Sequence, residues 1–215
     1  MKVRLIGITK SLISECDDAQ ELVTYAARVS NPNNQSNKET SSKLIKYLLK
    51  HKHFSPFEMV HILMEITTTR DISRQILRHR SFSFQEFSQR YAKSSRFETR
   101  EIRLQDSKNR QNSLEVNNDE FTSQWDTIQQ NVIKVCNEAY EWALGKNIAK
   151  EQARVVLPEG LTETTLFMSG NLRSWIHYIQ VRDADGVQKE HREIAKECKK
   201  IILKEFPDVE GAFTL

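Results

Sequence analysis

The chain has 215 residues, of which 38% are hydrophobic and 28% are charged. This composition belongs to a globular protein with a core and excludes a disordered tail. The formal net charge of +3 is too small to indicate bulk binding of nucleic acid. Neither a GxGxxG nor a GxxxxGK[ST] phosphate loop occurs among the six glycines. The length predicts a single domain over residues 1–215.

The cysteines and the N-terminal segment indicate where the protein works. Cys16, Cys136 and Cys198 are far apart and form no CxxC motif, and an odd number disfavours a disulfide framework. The first ten residues lack the apolar run of a signal peptide. His61 and Glu65 interrupt the most apolar stretch, so no membrane span is expected. These features predict a protein of the reducing cytoplasm.

The first half of the chain is expected to combine short strands with helices. Apolar residues at alternate positions indicate strands, and apolar residues three or four apart indicate helices. Strands are predicted over residues 2–9 and 59–69, and helices over 17–29 (capped by Asp17 or Asp18), 40–53 and 71–80 (capped by Asp71), with a polar loop over 31–42.

The second half is predicted to be mostly helical. Residues 94–120 are polar and patternless, which is typical of a functional or mobile excursion. Apolar residues from Phe121 to Trp142 follow a helical spacing that ends at Gly145, and this stripe is wide enough for an oligomer interface. A helix from about Ile148 to before Pro158, a strand or extended segment over 161–169, a helix capped by Asn171 and a final helix carrying Ile194 and Cys198 complete an α+β fold.

The densest group of chemically active side chains lies in residues 75–91. Gln75, Arg78 and His79 are spaced to share one face near a helix end. Residues 70–110 contain 11 basic and 5 acidic residues, so the positive charge is concentrated here. Guanidinium groups bind phosphate through paired hydrogen bonds, and hydroxyl groups complete such a site. The charge alone fits equally well with a basic helix end followed by a solvated loop.

The spacing of the residues in this segment resembles a known sequence signature. Arg78, His79, Arg80, Ser83, Ser88 and Arg90 fit the pattern R-H-R-x-x-S-x-x-x-x-S-x-R. This pattern resembles the signature of the flavin-dependent thymidylate synthases (ThyX). Further segments similar to those of the family occur before and after it, in the family's order, at 27–30, 53–58, 153–158, 171–174 and 181–190. The resemblance therefore covers most of residues 26–190, apart from 94–125.

The resemblance implies a fold, an assembly and a reaction. The fold would be a ThyX-like single domain of helices around a small mixed sheet, assembled into a homotetramer whose sites combine several subunits. The reaction would be the reductive methylation of dUMP to dTMP. Methylenetetrahydrofolate would give the one-carbon unit, tetrahydrofolate would leave, and FAD reduced by NADPH would supply the hydride. No cysteine lies near the arginine-rich segment to act as a nucleophile.

The resemblance also implies individual residues of the site. Arg182 would be catalytic by stabilising the pyrimidine ring as its N3 loses a proton, and Ser88 would be essential as a positioning group. His53 would lie near the folate or the flavin ring and Tyr91 near the nucleotide. The expected contacts to dUMP are Gln75, Arg78, Glu86, Phe87, Ser88, Gln89, Arg90, Arg154 and Arg182. The expected contacts to FAD are Ser55, Arg78, His79, Arg80, Ser81, Glu86, Asn171, Arg173 and His177.

Several conspicuous residues have simpler interpretations. His51 and His53 have no third ligand nearby in sequence, so no metal site is expected. His61 alternates with strand residues and is predicted to lie in the core or an interface, whereas His191 is predicted on a solvated helical face. Trp125, Trp142 and Trp175 lie on apolar stripes and are predicted to pack in the core or an interface.

Two other classes of protein remain open at this stage. The arginine- and phenylalanine-rich stretch 78–103 would suit a module that binds RNA or DNA, with salt-sensitive affinity and no bound chromophore. The long apolar helix would suit a purely structural oligomer that assembles without ligands.

Overall fold

Six strands are present in the computed structural model, which describes residues 1–94 and 96–213. They are β1 (Lys2–Ile8), β2 (His61–Thr69), β3 (Ser83–Glu86), β4 (Arg103–Gln105), β5 (Ser113–Glu115) and β6 (Glu163–Asn171). Four of them form one sheet in the order β1-β2-β6-β3. All its pairings are antiparallel in the described part of the chain, which corrects the expected mixed sheet. Strand β6 begins beside the end of β2, with Glu163 opposite Thr69, so it runs along β2 in the opposite direction.

Seven α-helices accompany these strands within the described residues. They are α1 (Ala19–Ala27), α2 (Ser41–Lys50), α3 (Arg70–Ile76), α4 (Asp119–Gly145), α5 (Lys150–Ala153), α6 (Leu172–Arg182) and α7 (Lys189–Glu205). The predicted caps Asp18 and Asn171 are confirmed, since each side chain accepts a hydrogen bond from the first turn of its helix. The fold therefore has more helix than strand, as predicted.

Helix α3 is shorter than the sequence indicated. It was predicted over 71–80 with Asp71 as its cap, but its cap residue is Thr69 and it ends at Ile76. Beyond Ile76 the chain tightens, because the amide of His79 donates to the carbonyl of Ile76, three residues back, at 3.1 Å. This turn brings β3 alongside β6. Residues 78–80 therefore lie in a turn rather than on a helix face.

The core lies between the sheet and the helices α2, α6 and α7. Strands β2 and β6 alternate buried and partly exposed residues, and their buried side chains meet the fully buried Trp175 and Tyr178 of α6. The indole Nε1 of Trp175 donates to the carbonyl of Ile62 at 3.2 Å. Each large apolar side chain buried here contributes about 1.5–3 kcal/mol. This packing fixes α6 firmly and leaves its other face for function.

The described part of residues 94–120 contains secondary structure that the sequence pattern did not predict. Strands β4 and β5 form a hairpin in which Leu104 pairs with Leu114. The segment before the hairpin is attached to α4, because Trp125 Nε1 and Gln129 Nε2 donate to the carbonyl of Arg100 at 3.0 and 2.8 Å. Three-residue strands with polar, mostly exposed side chains carry no apolar alternation. That is why an excursion without pattern was predicted.

The predicted long helix is confirmed as α4, with Asn118 as its cap. Its apolar stripe is largely exposed in the chain, with Val135 at 65% and Trp142 at 63%. The other exposed members are Phe121, Trp125, Ile128 and Val132. No helix among the described residues is both long and apolar enough to cross a membrane. The stripe is therefore an uncovered apolar face of the chain.

His61, expected in the core or an interface, is exposed on the surface of this chain. It is the first residue of β2, and the alternation of that strand turns Ile62, Met64 and Ile66 inward instead.

Candidate active site

Arg182 and His79 form a hydrogen-bonded pair at the end of α6. Arg182 is the last residue of that helix, and His79 lies in the turn after α3. The Nε–H of Arg182 donates to Nε2 of His79 at 2.8 Å, so the imidazole acts as an acceptor and is neutral. Burial, followed by the positive charge of Arg182, lowers the pKa of His79 to about 4. The pair therefore holds a permanent cation in a fixed orientation.

Behind this pair lies a buried polar group that sequence reasoning missed. His191 of α7 has no exposed surface, and its ring nitrogens lie 3.2 Å from Gln75 Oε1 and 3.2 Å from the Tyr178 hydroxyl. Burial, followed by the charge of Arg182, lowers the pKa of His191 to about 3. The predicted solvated position is therefore wrong. The spacing to Ile194 and Cys198, three and seven residues on, could have indicated that His191 shares their buried face.

The low pKa values of His79 and His191 predict a loss of stability in mild acid. In the unfolded chain a histidine binds a proton near pH 6.5, whereas His79 and His191 stay neutral in the folded chain down to pKa values of about 4 and about 3. The unfolded chain binds more protons in this window, so the free energy of unfolding decreases as the pH falls below about 6.5. Urea unfolding at several pH values measures this slope.

The slope is proportional to the number of protons that the chain takes up on unfolding, and His191→Asn should reduce that number by up to about one. Ile202→Ala, which removes a fully buried side chain from the same helix, should lower stability without changing the slope. A wild-type slope in His191→Asn would contradict the assignment.

A second group of predicted residues lines a cavity of about 360 Å³. Gln89 and Arg154 line it together with Arg70 and Arg74. Gln89 is 5% exposed, and its Nε2 has no hydrogen-bond partner in the described part of the chain. Buried donors without partners are rare in proteins, and several guanidinium groups attract an anion. Two glutamates also line the cavity, so its three arginines leave one net positive charge, and the cavity suits a ligand with negatively charged acceptor oxygens.

Arg90 is joined to this cavity through Glu151. Nε of Arg90 donates to the Glu151 carboxylate at 3.2 Å, and Nε of Arg154 donates to the Glu151 carbonyl at 3.3 Å. The fold thus brings Arg90 and Arg154 together although 64 positions separate them. The Ser88 hydroxyl accepts a hydrogen bond from the amide of Arg90 at 3.3 Å, which ties it to the same corner.

Glu86 anchors the arginines at the mouth of this cavity. Its carboxylate accepts hydrogen bonds from Ser73 at 2.8 Å, Thr164 at 3.0 Å and Arg74 at 3.2 Å. Arg70 lies 3.7 Å from the same carboxylate, and burial lowers the pKa of Arg70. Glu86 therefore holds in place two of the arginines that line the cavity.

A third group surrounds a cavity of about 570 Å³ at the start of α6. Ser81, Asn171, Arg173 and His177, all expected to contact FAD, line this cavity. Arg173 forms an ion pair with Glu58, and its guanidinium lies 5.7 Å from the centre of the Phe54 ring. A helix N-terminus beside an arginine and an aromatic ring suits an anionic group attached to a flat ring system.

The remaining predicted residues are spread over the surface of the chain. Arg78 and Arg80 are exposed, and no described residue forms an ion pair with either. Arg90 lies over the ring of the exposed Tyr91, at 5.7 Å. Ser55, His53 and Phe87 are also exposed. The cavity that contains Arg154 is not lined by Gln75 or Arg182, so one chain presents the expected site residues as three separate groups.

The described residues contain no cluster of three or more histidine, cysteine or acidic side chains that could hold a metal ion.

Comparison with known protein families gives the class to which this fold and site belong. The family described as "Thymidylate synthase complementing protein" matches residues 11–208. The chain belongs to this family, the flavin-dependent thymidylate synthases, as its motifs indicated.

Individual relatives agree with this assignment along the whole chain. The chain is 49% identical over 215 residues to a probable flavin-dependent thymidylate synthase of Paramecium bursaria Chlorella virus 1, covering 99% of this chain and 98% of that protein. It is 50% identical over 216 residues to the flavin-dependent thymidylate synthase of Synechocystis, covering 99% of each. Its fold is similar to that of PolB from Streptomyces cacaoi, a UMP/dUMP methylase bound with 5-Br dUMP. That comparison has a TM-score of 0.84 at 27% identity, and covers 99% of this chain and 94% of that one.

Proposed function

We propose that the protein methylates dUMP to dTMP, with methylenetetrahydrofolate as the one-carbon donor and NADPH-reduced FAD as the hydride source. The observation that carries the proposal is the Arg182–His79 pair, a fixed cation held by a neutral acceptor. The similarity to relatives named as flavin-dependent thymidylate synthases, which extends over 99% of this chain, supports the same reaction. The enzyme is thus a flavoprotein methyltransferase.

The nucleotide would be held by the groups around Glu151 and Gln75. Arg90, Arg154 and the unpartnered amide of Gln89 supply donors for phosphate oxygens. Gln75, Arg78, Glu86, Phe87 and Ser88 would complete the set of dUMP contacts. The similarity of the fold to that of a methylase bound with 5-Br dUMP supports a pyrimidine nucleotide as the ligand.

Arg182 would act on the pyrimidine ring. A guanidinium close to N3 lowers the energy of the ring as that nitrogen loses its proton. His79 accepts the Nε–H and so fixes the plane of the guanidinium, whose terminal amino groups would then face the ring. Ser88 would position the nucleotide, because the only hydrogen bond of its hydroxyl among the described residues is the one from the Arg90 amide, and no basic side chain accepts its proton.

FAD would occupy the cavity at the start of α6 and extend over the exposed turn 78–81. The cavity is lined by Arg173, His177, Asn171 and Ser81, and this donor set suits the phosphates and ring of a flavin nucleotide. Ser55, Arg78, His79, Arg80 and Glu86 would complete the FAD contacts, with His53 and Tyr91 near the edges of the site. When bound and reduced, FAD supplies the hydride that the reaction needs.

The working assembly would be a homotetramer of one catalytic domain per chain, over residues 1–215. The separation of the expected site residues into three groups supports sites that are shared between subunits, and the exposed stripe of α4 supports an interface there. We place the enzyme in the cytoplasm, which is supported by the absence of disulfides among its three cysteines.

Flavin binding and polynucleotide binding separate this function from its main alternative. Purified protein should show, or acquire with FAD, a flavin absorption spectrum that NADPH bleaches in the absence of oxygen. A nucleic-acid module would instead remain colourless and bind RNA or DNA with strongly salt-dependent affinity. Protein that does not bind FAD but binds polynucleotide would overturn the proposal.

A further inference from the structure

A row of polar side chains connects Glu190 to Tyr178 beside the Arg182–His79 pair. Glu190 and His191 belong to α7, Gln188 caps that helix, Gln75 lies on α3 and Tyr178 on α6. Gln75 Nε2 donates to Gln188 Oε1 at 2.7 Å, and Gln188 Nε2 donates to Glu190 Oε2 at 3.0 Å. Gln75 Oε1 and the Tyr178 hydroxyl lie on the two sides of the His191 ring.

The charge of Glu190 gives this row a direction. Its carboxylate is paired with Arg100 at 3.2 Å and with Arg103, so it can only accept hydrogen bonds. Gln188 must therefore turn its amino group toward Glu190 and its oxygen toward Gln75. Gln75 must then turn its amino group toward Gln188 and its oxygen toward His191.

The orientation of Gln75 also fixes the tautomer of His191. Because Gln75 Oε1 accepts, Nδ1 of His191 carries the proton and donates to it at 3.2 Å. Nε2 of His191 is then an acceptor for the Tyr178 hydroxyl, also at 3.2 Å. The ring is fully buried, and its low pKa of about 3 agrees with a neutral imidazole. Reversing the row would place a carbonyl oxygen of Gln188 against the Glu190 carboxylate.

We propose that this row, anchored by Glu190 through Gln188 on one side of Gln75 and closed by His191 on the other, positions Gln75 as a hydrogen-bond donor toward the nucleotide. The oxygen of Gln75 is used by His191 and one of its two N–H groups by Gln188. The remaining N–H can serve only an acceptor, such as a phosphate oxygen of dUMP. The inference rests on the proposed function, because it takes dUMP to be the ligand of Gln75.

The tautomer of His191 tests the direction of the row without any substrate. The FAD-loaded full-length protein, with ¹⁵N label in its six histidines, is examined by NMR, and the signals of His191 are identified by their loss in His191→Asn. We expect a neutral ring protonated at Nδ1. A ring protonated at Nε2, or doubly protonated at neutral pH, would overturn the proposal.

The effect on Gln75 is tested by a matched pair of variants. His191→Asn keeps an amide donor near the position of Nδ1, whereas His191→Leu keeps bulk without a donor. We expect Leu to raise the KM for dUMP about tenfold and Asn by less than about threefold, with FAD retention unchanged in both. Ile202→Ala, buried on the same helix, should leave the KM unchanged. Equal effects of Asn and Leu, or no effect of Leu, would reject the positioning role.

Failure of the proposed function would look different. Wild-type protein that does not bind dUMP would contradict the proposed reaction, and the tautomer of His191 would still decide the direction of the row.

Discussion

Replacing Arg182 by alanine should lower the turnover number by about a hundredfold to a thousandfold while the protein retains FAD. The substitution removes the only charged group of the Arg182–His79 pair, and with it the proposed stabilisation of the deprotonated pyrimidine. The residues that line the cavity at the start of α6 are untouched. Steady-state formation of dTMP and the flavin absorbance of the purified variant measure the two effects.

Two further variants make this test specific. Arg182→Lys keeps the positive charge but loses the Nε–H that His79 accepts, so it should recover only part of the lost turnover. Arg4→Ala removes an exposed arginine of β1 that pairs with Glu65 of β2, and it should leave turnover unchanged. Loss of FAD in step with turnover in Arg182→Ala would mean that Arg182 has been placed on the wrong ligand.

Val135→Glu should break the proposed tetramer and reduce activity by about a hundredfold. Val135 lies in the middle of the exposed stripe of α4, so a carboxylate there would be buried without a partner on assembly, at a cost of several kcal/mol. Activity should fall with assembly, because one chain presents the expected site residues in separate groups. Light scattering, circular dichroism and dTMP formation report assembly, folding and activity separately.

Gln130→Glu is the matched control, since it adds the same charge on an exposed part of α4 away from the stripe. It should remain assembled and active. If Val135→Glu were an active tetramer, the stripe of α4 would not be the interface that completes the sites.

Sequence periodicity was sufficient for the elements whose burial follows a regular pattern. Strand β2 alternates along its length, and the apolar stripe that contains Trp175 predicted both α6 and its buried face. It failed where other parts of the fold decide the structure. Helix α3 ends at Ile76 because β3 pairs with β6, a constraint that lies outside the helix itself. The hairpin of β4 and β5 has too few apolar residues to show a period.

The arrangement of the candidate site was not predictable from the sequence. The motif around Arg78, Ser88 and Arg90 predicted a set of site residues, and the structure adds that Arg90 meets Arg154 at Glu151. No local pattern indicates that Glu151 joins them, because the contact spans distant parts of the chain. His191 was misplaced because a histidine among charged neighbours suggests a surface, whereas Tyr178 and Gln75 satisfy both of its ring nitrogens.

Release of tritium from dUMP labelled at carbon 5 tests the proposed reaction most directly, because that hydrogen leaves only when the carbon is substituted. The FAD-loaded protein should release tritium to water and form dTMP in equal amounts when methylenetetrahydrofolate and NADPH are both supplied, and should form no dTMP without NADPH. Protein that binds both FAD and dUMP yet releases no tritium with all components present would contradict the account.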